Sequence, residues 1–537
     1  MTVVATRTET VLDVRDLRIG LADTPIVHGV DIRVPAGKSV GLVGESGSGK
    51  TLTALAIAGL LPPAITITGG TVTLAGKQLS AVADRHTTEH RVATIGVVFQ
   101  NPTPSLNPRM RISKQLHEAL PQGTGRREAA ARIAELLGLV GITDIPKTLH
   151  AFPHELSGGL NQRVVIAMAL ARDPKLLIAD EPTTALDVSV QAQVLDLVDS
   201  LRERLGLGVL LVSHDIGIIA DRTDEVHVMS EGRIVESGPT ADVLRAPRHA
   251  YTRQLLSATP SRLARVAPPA KAAEAAQTPQ LTLRDLRRSF SVRGREGRTK
   301  HVALDGVDLT LHRGQAIGLV GESGSGKTTL ARIVVGLERA DSGEVRHDGL
   351  ELSKQTREQR RQWRRDVQYI FQDPYSSLDP RLSVAQTLRE PLELNHRGLS
   401  RAEVSRRIDA LLDEVELPRD FRHRHPSELS GGQRQRVGIA RALASEPTLV
   451  IADEPVSALD LSVQARILRL LARLRAERDL TYLFISHDLA VVRYLCDDVV
   501  VLRDGRIVEQ GRTDDVLRNP RDPYTQTLVD AIPGGSL

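Results

Sequence analysis

Cysteine is almost missing from this chain, Cys496 being the only one. A single thiol excludes a disulfide within the chain, and it excludes a zinc or iron–sulfur site ligated by the chain's own cysteines. Aromatic residues are equally scarce at 2%, which leaves few ring faces on which nucleic-acid bases could stack. Charge of one sign is not gathered into blocks. Lys and Arg number 70 against 66 Asp and Glu, and the two signs are interspersed, so no basic tract reads as a nucleic-acid stripe. No apolar run reaches the ~18–20 residues of a membrane-spanning helix, and the longest candidate, Leu52 to Leu61, stops at Pro62 and Pro63. The first ten residues lack the apolar centre of a secretory signal. These absences predict a cytosolic globular protein that binds no nucleic acid and meets a membrane only through partner chains.

What the chain does have is a copy of itself. GESGSGKT stands at residues 44–51 and 321–328, LSGG at 156–159 and 429–432, IADEP at 178–182 and 451–455, and SHD at 213–215 and 486–488. The last three pairs are each 273 residues apart and the first 277. That period is far above the ~20–50 residues of solenoid repeats and indicates a duplicated whole domain. The stretch 261–279 is rich in Ala and Pro and reads as a linker, so the expected domains are 1–260 and 280–537. Short apolar runs at Ser39–Val43, Leu176–Ala179 and Val209–Val212, with counterparts at Ala316–Val320, Leu449–Ala452 and Tyr482–Ile485, read as strands. Helices are predicted after the Gly-rich turns, at Leu52–Leu60 and Thr329–Leu337. Alternating strands and helices predict an α/β fold with a mostly parallel sheet covered on both faces.

Gly44, Glu45, Ser46, Gly47, Ser48, Gly49, Lys50 and Thr51 fit G-x-x-x-x-G-K-[ST], and Gly321, Glu322, Ser323, Gly324, Ser325, Gly326, Lys327 and Thr328 repeat it. Glycines let backbone N–H groups converge on phosphate oxygens at a helix N-terminus. The lysine reaches the β and γ phosphates and the threonine hydroxyl ligates Mg²⁺. Asp180–Glu181 and Asp453–Glu454 each end an apolar strand, where carboxylates face the ligand crevice of a parallel sheet. Asp180 and Asp453 suit a Mg²⁺ shell, and Glu181 and Glu454 suit proton acceptance from an attacking water. His214 and His487 each follow another apolar strand and suit a donor to the γ-phosphate that also holds the water and the Glu in place. For each acid the competing reading is a helix cap ahead of Pro182 or Pro455, and for each histidine it is a packed structural residue.

LSGG together with the phosphate loop, the DE pair and the single His resembles the ABC transporter ATPase family, over nearly the whole chain. Taken alone, LSGG is only a helix cap. The resemblance implies two tandem P-loop NTPase domains, each with a helical subdomain. It also implies ATP bound between domains, with Ser157, Gly158 and Gly159 completing the site on Lys327, and Ser430, Gly431, Gly432 and Gln433 completing the site on Lys50. It further implies that Gln100 and Gln372 touch Mg²⁺ and the water, that Asp187 and Asp460 lie in D-loops, and that Phe290 stacks on adenine. FQNPTPSLNP (99–108) and FQDPYSSLDP (371–380), with the tails HAYTRQLLSATP (249–260) and DPYTQTLVDAIP (522–533), resemble the dipeptide, oligopeptide and nickel importer ATPases. The expected function is therefore ATP hydrolysis powering peptide import at the cytoplasmic face of the membrane. Its expected partners are two transmembrane permease subunits and an extracytoplasmic substrate-binding protein.

The two halves depart from one another. Leu160 stands where the second half has Gln433, and Leu21 where it has Phe290, so inequivalent ATP sites are expected, both able to hydrolyse. A soluble tandem ATPase acting on ribosomes or DNA would carry a long charged helical linker or zinc-binding cysteines. An exporter ATPase would lack the SLNP and YT segments.

Overall fold

The computed structural model describes residues 9–22, 24–79, 85–100, 105–183, 187–266, 279–294, 297–373, 375–396, 398–457 and 459–532. They fall into two compact units, one within residues 1–259 and the other within 260–532.

In the first unit, strands β1 (Thr10–Leu21), β2 (Thr24–Pro35), β4 (Ile65–Leu74) and β5 (Lys77–Leu79) form an antiparallel sheet in the order β2-β1-β4-β5. A second sheet has the order β10-β9-β3-β8-β7-β6, built from β3 (Ser39–Val43), β6 (Ile95–Val98), β7 (Leu176–Asp180), β8 (Gly208–Ser213), β9 (Glu225–Ser230) and β10 (Arg233–Pro239). All its neighbours are parallel except the terminal hairpin β9-β10. Between β6 and β7 the chain leaves the sheet for a helical layer that includes Ile112–Ala119, Arg126–Leu139 and Gly158–Ala169.

The second unit repeats this plan. Strands β11 (Pro279–Gly294), β12 (Gly297–His312), β14 (Ser342–His347) and β15 (Leu350–Glu351) make the antiparallel sheet. Strands β13 (Ala316–Val320), β16 (Val367–Ile370), β17 (Leu449–Asp453), β18 (Thr481–Ile485), β19 (Asp498–Arg503) and β20 (Arg506–Arg512) make the six-stranded one. The parallel sheet, the helices after the phosphate loops and the helical layers are as the sequence predicts. The segments Leu12–Leu21 and Leu281–Phe290, which the sequence predicts as matching strands opening each half, lie in β1 and β11, but their place in a separate antiparallel sheet is not predicted. Its strands carry half-exposed polar residues on one side, and only cross-strand pairing reveals the sheet.

Burial on both faces explains why the central strands read as unbroken apolar runs. Along β18, Tyr482 and Phe484 enter a core shared with the helical layer, which includes Leu388, Ile408 and Val437. Leu483 and Ile485 enter the opposite core with Leu283, Leu304 and Trp363. Successive side chains of a strand point to opposite faces, so one strand feeds two cores. Residues 260–266, the start of the Ala/Pro-rich stretch, pack on the second unit: Val266 N–H donates to Tyr494 O at 3.1 Å, and Arg265 pairs with Asp514. Residues 267–278 of the expected linker lie outside the described residues.

One core position differs sharply between units. His227 on β9 pairs in register with Leu42, and Val500 on β19 pairs in the same way with Leu319. His227 is 6% exposed, both ring nitrogens lack a hydrogen-bond partner, and Glu225 is 3.7 Å away, beyond hydrogen-bonding range. Burial lowers its pKa to about 4, against a small opposing pull from Asp31. The folded state therefore binds fewer protons than the unfolded one. The neutral ring is accommodated above the unfolded pKa of 6.5, and stability is lost as pH falls from there towards 4. The penalty is about 2 kcal/mol at pH 5. His227→Val should remove this part of the acid sensitivity, so thermal scans of the full chain at pH 7.5 and pH 5 should differ less in the variant than in the wild type. An unchanged difference would show that His227 is solvated.

Candidate functional site

Each phosphate loop leaves a fully buried strand and enters a helix, Ser39–Val43 into Lys50–Ala58 and Ala316–Val320 into Lys327–Val334. A Cβ on Gly44 would lie 2.1 Å from Met229 O, and one on Gly321 would lie 2.1 Å from Leu502 O, so neither position admits a side chain. Gly49 (φ 102) and Gly326 (φ 108) cap the helices in the left-handed region that glycine enters freely. Lys50 Nζ donates to Gly44 O at 2.8 Å and Glu45 O at 2.9 Å, and Lys327 Nζ to Gly321 O at 2.6 Å and Glu322 O at 2.8 Å. Each ammonium thus sits inside its own loop, although buried. The hydroxyls of Ser48 and Ser325 are buried with no hydrogen-bond partner, which leaves a donor in each cradle for an anion.

Beside each loop the carboxylates converge. Thr51 Oγ1 donates to Asp180 Oδ1 at 3.3 Å, and Thr328 Oγ1 to Asp453 Oδ2 at 3.2 Å. Gln100 Nε2 donates to Glu181 Oε2 at 2.7 Å, and His214 Nδ1 lies 3.0 Å from Glu181 Oε1. In the second unit Gln372 Nε2 donates to Glu454 Oε2 at 2.9 Å, and His487 Nδ1 lies 3.1 Å from the same oxygen. Both glutamates have positive φ, 48° and 45°, while their N–H groups still bond to Val212 O and Ile485 O at 2.9 Å. This turn aims each carboxylate across the strand ends towards the histidine.

Burial raises Asp180 to about 6 against the Thr51 hydrogen bond. Burial raises Asp453 too, opposed by hydrogen bonds from Tyr369 and Thr328. Burial opposes charge on His214 and on Glu454 alike. The hydrogen bond and charge of Glu181, with the charge of Asp215, together outweigh it and raise His214, and the hydrogen bond and charge of His487, with Lys327 and Ser457, together outweigh it and lower Glu454. In each Glu–His pair one member, His214 in the first unit and Glu454 in the second, is thus shifted towards its charged form.

The remaining residues singled out in the sequence lie on the same two units. Ser157 caps the helix Gly158–Ala169, accepting from Leu160 N at 3.4 Å. Ser430 caps Gly431–Leu443, accepting from Gln433 N at 3.3 Å, and Gln433 Oε1 in return accepts from Ser430 N at 2.9 Å. Gln433 thus closes a reciprocal capping box that Leu160 cannot form. Asp187 and Asp460 stand at the N-caps of Val188–Leu205 and Leu461–Arg478. Phe290 lies on β11 with Arg288 4.6 Å from its ring centre, and Leu21 ends β1 half exposed. Residues 101–104, 374 and 533 of the quoted segments lie outside the described residues.

Four features were missed by sequence reasoning. Tyr369 donates to Asp453, where the first unit has Val97. Arg434 stacks 3.9 Å from the Tyr375 ring centre, and Arg441 donates to Ser377 O at 2.6 Å, where the first unit has Asn161 and Met168. Tyr251 and Tyr524, within the quoted tails, touch the phosphate loops: their hydroxyls accept from Glu45 N at 2.9 Å and Glu322 N at 2.8 Å. The YT pair was the available signal, but nothing local indicated its target.

The residues fit a nucleotide with Mg²⁺. Among the described residues no cluster of three His, Cys, Asp or Glu could hold a metal alone. One hydroxyl and one carboxylate per site match a small hard cation that takes its other ligands from phosphate and water.

Comparison with known proteins agrees with a nucleotide site. The ABC transporter family profile matches residues 27–184 and 304–457. The profile of the oligopeptide/dipeptide transporter C-terminal region matches 235–281 and 508–534. Peptidoglycan transport ATP-binding protein YejF of Agrobacterium fabrum is 44% identical over 536 residues, covering 98% of this chain and 97% of that protein. Oligopeptide transport ATP-binding protein OppD of Mycobacterium tuberculosis is 40% identical, covering 94% and 95%. Glutathione import ATP-binding protein GsiA of Salmonella typhimurium is 41% identical, covering 94% and 86%.

The loop geometry separates two glycines of one motif. Gly44→Ala forces backbone apart and should lower the melting temperature clearly. Gly47→Ala enters open space at φ 79 and should cost only ~1 kcal/mol of left-handed strain. Equal shifts in thermal melts would show that the Met229 carbonyl yields.

Proposed function

This chain belongs to the ABC transporter family, and on that premise we propose that its two ATPase domains power the import of peptides or peptide-derived compounds through separate permease chains. The observation that carries the ATPase reading is the node at each strand edge, where one glutamate meets a histidine and a glutamine beside a phosphate loop. The tail match at 235–281 and 508–534 supports the peptide class, as do the oligopeptide and glutathione systems among the relatives. No helix among the described residues is long and apolar enough to cross a membrane. Attachment to the cytoplasmic face through permeases, and delivery by an extracytoplasmic binding protein, complete the reading.

In each domain the phosphate chain of ATP lies along the loop, held by backbone N–H groups, the Ser48 or Ser325 hydroxyl and the lysine. Lys50 and Lys327 exchange their loop carbonyls for phosphate oxygens. Thr51 with Asp180, and Thr328 with Asp453, would hold Mg²⁺, which would neutralise charge on the phosphates. Glu181 and Glu454 orient a water with Gln100 and Gln372 and accept its proton as it attacks the γ-phosphorus. His214 and His487 hold each carboxylate in place and donate to the γ-phosphate. The lowered pKa of Glu454 keeps its carboxylate ionised to hold the water, in keeping with a reaction governed by charge placement.

Replacing both glutamates, Glu181→Gln with Glu454→Gln, should lower hydrolysis at least about 100-fold while ATP still binds, because an amide keeps the shape but accepts no proton. Near-normal turnover would remove both from the mechanism. Deleting the gene should abolish uptake of labelled di- or oligopeptides, whereas the purified chain alone should bind no peptide by calorimetry. Unaltered uptake would refute the peptide reading.

A further inference from the structure

The tail and the phosphate loop are 206 residues apart in the first unit and 202 in the second, yet they meet in the same way in both. The Tyr251 hydroxyl accepts from Glu45 N at 2.9 Å, and the Tyr524 hydroxyl from Glu322 N at 2.8 Å. Each tyrosine lies in the first turn of a helix, Ala250–Ser257 or Pro523–Asp530, and its own N–H is capped by His249 Nδ1 at 3.2 Å or Asp522 Oδ1 at 2.8 Å. The tail is then tied to the β9-β10 or β19-β20 hairpin by one carboxylate. Glu236 accepts from Arg248 N at 2.7 Å and His249 N at 3.1 Å, and Glu509 accepts from Arg521 N at 2.9 Å and Asp522 N at 3.1 Å. An arrangement this long-range, with each of these hydrogen bonds duplicated, is a built feature of the fold.

Its target is a particular peptide group. Glu45 and Glu322 are the second residues of their loops, and their carbonyls accept from Lys50 and Lys327. The same residue is therefore held through its N–H by the tail and through its C=O by the lysine. When the lysine turns to phosphate, as the proposed function requires, the carbonyl tie is given up and the tyrosine tie is kept. Tyr524 is further fixed by Arg503, 4.8 Å from its ring centre, where the first unit has Ser230.

We propose that Tyr251 and Tyr524 are positioning residues through which the C-terminal segment of each unit sets the ATP affinity of that unit's own phosphate loop. The inference rests on the ATP reading of the loops. It makes the tail part of the nucleotide site, so that whatever displaces the tail weakens nucleotide binding in the same unit.

The test uses the full chain and its single tryptophan. Trp363 Nε1 donates to Val334 O at 3.0 Å, the last residue of the helix that follows the second loop, so its emission during ATP titration reports the second unit. Tyr524→Phe keeps the ring and removes the hydroxyl. Loss of one hydrogen bond predicts an ATP Kd at this site raised about three- to tenfold, a raised KM, and a kcat within about twofold. Tyr251→Phe should leave the Trp363 titration unchanged. Glu509→Gln, which loosens the tail without touching the loop, should also raise Kd, and its combination with Tyr524→Phe should be less than additive. Unchanged Kd and KM in Tyr524→Phe, beside a wild type that binds ATP, would overturn the proposal alone, as would a fall in kcat at constant Kd. Failure of the wild-type chain to bind ATP would overturn the ATP reading and this one with it.

Discussion

Parallel pairing of β6, β7, β8 and β3 in one sheet is the constraint on which everything else in each unit depends. It brings four carboxyl ends to a single edge, and the four chemical elements leave from those ends. The phosphate loop follows β3, Asp180 ends β7 with Glu181 next, His214 follows β8, and Gln100 lies two residues beyond β6. Hydrogen bonds of about 3 Å among groups so distant in sequence need backbones already fixed at the ~4.8 Å spacing of paired strands. The second unit meets the same constraint with β16, β17, β18 and β13. The apolar cores on both faces of the sheet hold that spacing, so the packing of Tyr482 or Leu483 bears on catalysis without contact with substrate.

Some of this was legible in the sequence because the information is local. A phosphate loop is eight consecutive residues with its glycines and lysine in a fixed pattern, and an acidic pair after an apolar strand is a local pattern too. The capping box at Ser430 and Gln433 could also be read from S-x-x-Q alone. The contacts of Gln100 with Glu181 and of Tyr251 with Glu45 were not legible, since each joins segments whose approach is set by strand order. The antiparallel sheet escaped for a related reason. Its half-exposed strands carry a weak alternation, and their partnership becomes visible only in cross-strand register.

Duplication has not kept the halves alike. The second unit ties the loop after Gln372 to the helix Gly431–Leu443 through Arg434 under Tyr375 and Arg441 bound to Ser377 O. It caps that helix reciprocally with Gln433, and it gives Asp453 an extra phenolic partner in Tyr369. At the matching positions the first unit has Asn161, Met168, Leu160 and Val97. It also buries His227 where the second buries Val500. Each difference removes a polar tie from the first unit or leaves a polar group there without one. The two sites thus share their chemistry and differ in how firmly it is framed.

The positive φ of Glu181 and Glu454 has a consequence for how such a domain can change over time. A left-handed backbone costs a non-glycine residue ~1–2 kcal/mol, and that strain persists because the surrounding sheet over-determines it. Glycine there would relax the backbone and stabilise the fold while deleting the proposed proton acceptor. Asparagine and aspartate are tolerated in this conformation, whereas β-branched side chains are resisted. Selection for stability alone would therefore drift away from glutamate at these two positions, and only selection for turnover would hold it there.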